Sequence, residues 1–138
     1  MKAEKGLRKI YTKRSFYKIM EQRINAFENQ SLMRAMFGLN GYLMKSGKIE
    51  KNLLHLLELR VSQLNGCAYC IDMHSKDLRA SGETEQRLYL LDAWRESPVY
   101  SDRERAAFAW AEAVTFVTNG HVSDEVYEEA RRQFSEQE

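Results

Sequence analysis

A chain of 138 residues, 43% hydrophobic and 30% charged, is long enough for one buried core and has the composition of a folded globular domain. No apolar run approaches the roughly 18 residues that would span a bilayer, and the basic N-terminus lacks the apolar stretch of a secretory signal. The net charge of +1 hides an asymmetry, because residues 1–19 carry Lys2, Lys5, Arg8, Lys9, Lys13, Arg14 and Lys18 against Glu4 alone. We read residues 1–19 as a basic N-terminal extension ahead of a single acidic domain over 20–138. The extension holds no recognition motif, so we expect a solvated leader or a helix laid on a neighbour. An arm for nucleic acid or for an anionic membrane is the alternative it does not favour.

Taken in order, the remaining elements are all helices. Leu32, Met36, Leu39 and Leu43 recur at three- and four-residue spacing and predict a helix ending at Ser46-Gly47. Gly38 and Gly41 weaken it intrinsically, which predicts close packing against another helix at those positions. Met33, Met36, Phe37, Tyr42 and Met44 read as core or subunit-interface packing rather than as a cofactor pocket.

A second helix, about Glu50 to Leu64, is apolar on most sides and should be the most buried element, with Asn65-Gly66 as its stop. A third runs from about Cys67 to Ala80 and closes at Ser81-Gly82. Thr84 opens a shorter one through Leu88, Leu91 and Trp94, ended by Ser97-Pro98. Ser101 and Glu104 have the spacing of a capping box for a helix that stops at Asn119-Gly120, and a last helix begins near Ser123 or Asp124. No segment alternates as a strand would. The predicted class is all-α.

Both cysteines fall in Cys67-Ala68-Tyr69-Cys70, with His74 four residues further on. A loop that small cannot staple a fold, so the pair is chemical rather than structural, and a reducing cytoplasm is the expected setting. At a helix start the free backbone N–H groups and the helix dipole favour a thiolate, the species that attacks peroxides and disulfides. His74, at i+4 from Cys70, is placed to exchange a proton with it.

Other readings compete. Cys67, Cys70, His74 and His55 are conceivable zinc ligands, but no second ligand pair at recognisable spacing accompanies them, and we expect no metal. Inert packing of small thiols is a second alternative. A thioredoxin-type site belongs beside a βαβ pattern, which is missing from this sequence. On the preceding helix His55 and Glu58 stand one turn apart and are candidate proton acceptors if they face the dithiol. Otherwise His55 is a hydrogen-bonded core histidine, and Glu58 a partner for Arg60, Lys51 or a basic group on another helix.

The stretch from Leu59-Arg60-Val61-Ser62-Gln63-Leu64-Asn65-Gly66 through the cysteines to Ile71-Asp72-Met73-His74 resembles the carboxymuconolactone decarboxylase family, in its AhpD-like alkylhydroperoxidase branch. So do Lys76-Asp77, Gly82 to Leu88, Trp94 to Pro98 and Glu104 to Ala107, and the match extends from about Asn25 to Phe134. The resemblance implies an AhpD-like helical bundle that assembles as a homo-oligomer, a trimer or hexamer. It implies a thiol peroxidase acting on small hydroperoxides without a cofactor, recycled by a dithiol reductant or adaptor protein. In it Cys70 attacks the peroxide, Cys67 resolves the product as a disulfide, and His74 belongs to the proton relay.

Two positions depart from the family's pattern. The relay glutamate expected twelve residues before the first cysteine falls on His55, with Glu58 one turn away, and the position before the second cysteine is Tyr69. The sequence also ends without the family's last apolar helix. The alternatives to a peroxidase are a redox-responsive oligomeric module and a cofactor-free lactone decarboxylase. Decarboxylases of the family generally lack this cysteine pair.

Overall fold

The computed structural model describes residues 28–138. The basic extension inferred for residues 1–19 therefore lies outside the described residues. Six α-helices and no strand occur among the described residues, in agreement with an all-α class. They are α1 (Gln30–Ser46), α2 (Lys51–Leu64), α3 (Ala68–Ala80), α4 (Glu85–Leu90), α5 (Asp102–Thr115) and α6 (Asp124–Gln133), with a 3-10 turn at Leu91–Ala93. The chain divides into two units at Gly41, and the core belongs to the second, which runs from Tyr42 to Glu138.

The helix starts follow local side-chain chemistry. Ser101 accepts from the Glu104 backbone N–H while the Glu104 carboxylate accepts from the Ser101 N–H, which completes the predicted capping box of α5. Thr84 and Ser123 cap α4 and α6 through hydroxyls that accept from Arg87 N and Val126 N. Helix α5 stops at Thr115, short of the expected Asn119-Gly120, and residues 116–120 continue as turns.

Helix α2 is the centre of the second unit and packs on α3 and on α5, while α5 also packs on α6. Leu53, Leu56 and Leu59 recur every three residues on its inner face and are buried with Leu78, Leu88, Leu91, Trp94, Tyr100, Ala107 and Phe108. Phe108 is fully buried, edge-on to Tyr100 at 5.3 Å and tilted against Trp94 at 5.7 Å. Each buried leucine contributes about 1.5–3 kcal/mol relative to exposure, so this cluster fixes α2 and with it the start of α3.

Helix α1 has no buried residue among the described residues, and Leu32, Met36, Phe37, Leu39, Tyr42 and Leu43 are all exposed. A Cβ on Gly38 or Gly41 would meet nothing within 4 Å, so the close helix packing predicted there is absent among the described residues. Periodicity reports that a helix has one apolar face; it does not report what covers that face.

Candidate functional site

The turn between α2 and α3 builds the site. Gly66, at φ +62°, ends α2 in a Schellman arrangement, with Gly66 N–H bonded to Gln63 O and Cys67 N–H to Ser62 O at 3.1 Å. The reversal delivers Cys67 to the N-cap of α3, where its Sγ accepts from the Cys70 backbone N–H at 3.4 Å. Cys67 and Cys70 are joined in a disulfide with their Cα atoms 5.3 Å apart. Both are half-buried, whereas Ala68, Tyr69 and Met73 beside them are exposed, so one side of the disulfide is open to a reaction partner.

His74 is half-buried on α3, one turn beyond Cys70 and on the same helix face. Across from α3, the α2 pair is formed: His55 Nδ1 donates to Glu58 Oε2 at 3.0 Å. The same oxygen lies 3.4 Å from His74 Nδ1. That second approach is at ion-pair distance but off the line of a hydrogen bond, and His74 Nδ1 is buried with no hydrogen-bond partner. The structure thus brings Glu58 between His55 and His74, with side chains 27%, 25% and 16% exposed respectively.

The alternative partner for Glu58, Arg60, is engaged elsewhere. It lies buried on α2 and pairs with Glu112 and Asp92 and with the Gln63 side chain. Glu112 collects Arg60 Nε at 2.7 Å, Trp94 Nε1 at 2.8 Å and Arg95 at 2.5 Å. Burial pushes the Glu112 carboxyl up, but these three donors together outweigh it and hold it below its ordinary value. This cluster locks the segment of α2 that leads into the dithiol turn. The sequence gives no local hint of it, since its members lie up to 52 positions apart.

Among the described residues no group of three or more His, Cys, Asp and Glu side chains converges as a metal site. A cleft of about 470 Å³ opens where α2, α5 and α6 meet, lined by Leu57, Trp110, Tyr127 and Phe134 among others. None of Cys67, Cys70, His74, His55 and Glu58 lines it. No helix among the described residues is long and apolar enough to cross a membrane.

The family model for the carboxymuconolactone decarboxylase family matches residues 30–113, which contain the whole site. The chain belongs to the carboxymuconolactone decarboxylase family. It is 41% identical over 120 residues to the uncharacterized protein YdfG of Bacillus subtilis, covering 86% of this chain and 81% of that one. It is 36% identical over 70 residues to the alkyl hydroperoxide reductase AhpD of Acidobacterium capsulatum, covering 51% of this chain and 36% of that relative.

Among solved structures, ATU0492 from Agrobacterium tumefaciens superposes with a TM-score of 0.80 at 41% identity. The match covers 85% of this chain and 80% of that one. ATU0492 is a protein of unknown function, provisionally placed in antioxidant defence as an AhpD. Membership of the family and likeness to its AhpD branch agree with the resemblance seen in the sequence.

Proposed function

We propose that this family member is a thiol-dependent peroxidase that reduces small hydroperoxides through the Cys67–Cys70 pair. The observation that carries the reading is the disulfide itself, formed at the first turn of α3 with His74 one turn further on. In the reduced protein, the unpaired N–H groups and positive dipole end of α3 favour thiolates at both positions.

In this reading the Cys70 thiolate, its proton held by His74, attacks the terminal oxygen of the hydroperoxide. The O–O bond breaks, the alkoxide takes the proton from His74 and leaves as an alcohol, and Cys70 becomes a sulfenic acid. The Cys67 thiolate then attacks the Cys70 sulfur and displaces hydroxide, which takes up the proton that Cys67 shed to solvent on ionising and leaves as water. The disulfide accepts two electrons and two protons from a dithiol reductant, or an adaptor protein carrying one, through the open side beside Tyr69 and Met73. A homo-oligomer working in the cytoplasm is part of the same proposal, and the exposed apolar face of α1 supports self-association.

Peroxide consumption by the purified protein with a small dithiol tests it. Turnover should be lost in Cys70→Ser. Retained turnover in that variant overturns the assignment, and a parent protein that forms the disulfide without consuming peroxide catalytically is a redox-responsive module instead.

A further inference from the structure

Glu58 meets two imidazoles with one oxygen. Its Oε2 accepts the His55 Nδ1–H at 3.0 Å and lies 3.4 Å from His74 Nδ1 without a hydrogen bond. His74 Nδ1 is the one buried side-chain nitrogen or oxygen among the described residues that lacks a hydrogen-bond partner. Native structures leave few such atoms unpaired, and those that persist call for an explanation.

The ring chemistry supplies one. A neutral imidazole carries a proton on one nitrogen and a lone pair on the other. A proton on His74 Nδ1 would draw the carboxylate in. The carboxylate instead lies off that line and on His55, so a proton on His74 Nδ1 would be buried without an acceptor, and a bare Nδ1 fits the arrangement. The disulfide form therefore fits a neutral His74 protonated on Nε2, the nitrogen on the far side of the ring from Glu58. In that tautomer Nε2 cannot take a proton from sulfur, and with no thiol present there is none to take.

We propose that Glu58 is a positioning residue whose carboxylate changes partner with the redox state of the dithiol, holding His55 in the disulfide form and His74 in the dithiol form. The proposal rests on the peroxidase reading for the use to which the exchange is put. A dithiol reductant supplies two electrons and two protons to the disulfide and is itself oxidised to a disulfide. The Cys70 thiol then presents an S–H donor on the helix face it shares with His74, which favours a bare Nε2. The His74 proton passes through water to Nδ1, where Glu58 accepts it and releases His55. Nε2 becomes the base that receives the Cys70 proton, and the resulting imidazolium keeps its Nδ1–H on Glu58. Orientation of a base by a carboxylate on its other nitrogen is a general device. What this site adds is a second histidine, His55, that competes for the same oxygen.

Ring-¹⁵N NMR of the full chain with labelled histidine, in the disulfide form and after reduction by a small dithiol, tests the exchange. His74 should show a bare Nδ1 in the disulfide form and a protonated, hydrogen-bonded Nδ1 in the dithiol form, with His55 changing in the opposite sense. In His55→Leu, where Glu58 has no competitor, His74 should already show a protonated Nδ1 in the disulfide form. In Glu58→Gln the His74 signals should cease to follow the redox state, and Cys70 alkylation at neutral pH should slow by about tenfold or more, with Glu58→Asp recovering part of it.

The same His74 Nδ1 state in both redox forms of the parent overturns the proposal, as does a His55→Leu spectrum in which the His74 signals are identical to the parent's. These readings need no peroxide. An exchange seen without peroxide turnover overturns the peroxidase reading alone, and turnover with a fixed His74 overturns the exchange alone.

Discussion

Arg60 on α2 donates its Nε–H to Glu112 Oε1 on α5 at 2.7 Å, with both side chains nearly excluded from solvent. The bond joins the helix that leads into the dithiol turn to the helix that carries Phe108. Replacing Glu112 with Ala strands a buried guanidinium and leaves Trp94 Nε1 without its acceptor. Removing one member of a buried charged pair costs about 3–5 kcal/mol. Glu112→Gln keeps a neutral acceptor and should cost less. A double replacement, Arg60→Met with Glu112→Leu, should lose less than the sum of the single changes to apolar residues. Urea denaturation of the set measures the coupling, and additive losses would show that the pair does not act as a unit.

This cluster and a second one, where Arg87 pairs with Glu104, set an acid limit. At Glu112 burial raises the carboxyl, and the donors Trp94, Arg60 and Arg95 more than offset it. At Glu104 burial is again the largest influence, outweighed by the Arg87 side chain and the Ser101 backbone N–H. Both groups therefore have folded-state values depressed below the ordinary 4.5. Their contribution is fully present above that ordinary value, because both states are then ionised. It is lost as pH falls through the depressed folded values, because the unfolded chain takes up protons first. Denaturation midpoints should hold steady from neutral pH down to the ordinary carboxylate range and fall below it. Glu112→Gln should flatten the fall, and an unchanged slope would rule out Glu112 as a source.

Gly66 makes a different kind of prediction, since its role lies in its backbone alone. A Cβ there would touch nothing within 4 Å, yet φ is +62°. An L-residue held in that region pays about 1–2 kcal/mol. Gly66→Ala should lower stability by about that amount, and Gly66→Asn by less, because asparagine tolerates the left-handed region. Thermal unfolding of the two variants checks the order. Equal stability of Gly66→Ala and the parent would mean that the turn relaxes to negative φ, and Cys67 would then lose its bond to Ser62 O.

The limits of sequence reading follow from the range of the forces involved. Capping at Ser101, Thr84 and Ser123, the stop at Gly66 and the N-cap position of Cys67 depend on atoms within a few residues, and all were legible. The five candidate residues were legible as types at local spacings, and the family motif narrowed their chemistry. The His55–Glu58 pair was legible as a one-turn spacing, but the approach of His74 to Glu58 was not, because it comes from another helix. Arg60 was equally misleading: its spacing offered Glu58, while its real partners lie 52 and 32 positions away. The apolar stripe of α1 gave the right helix but not what covers it, since periodicity is a property of one helix and burial of two.

The division of labour between the cysteines gives the last prediction. If Cys70 attacks and Cys67 resolves, Cys67→Ser keeps the nucleophile, His74 and the start of α3 but cannot close a disulfide within the chain. Serine is a good N-cap, so its hydroxyl can accept from the Cys70 N–H as the sulfur does, and the helix start should survive. Without dithiol and with peroxide not in excess, the variant should consume one equivalent of hydroperoxide per chain, with Cys70 carrying one added oxygen by mass spectrometry and reacting with a sulfenic-acid probe. Excess peroxide should drive it on to irreversible acids, because no resolving thiol intercepts it. The mirror variant, Cys70→Ser, should consume none. Sustained dithiol-dependent turnover in Cys67→Ser would remove Cys67 from the resolving role, and an oxidised Cys67 in Cys70→Ser, with Cys70 left unoxidised in Cys67→Ser, would make Cys67 the attacking thiol.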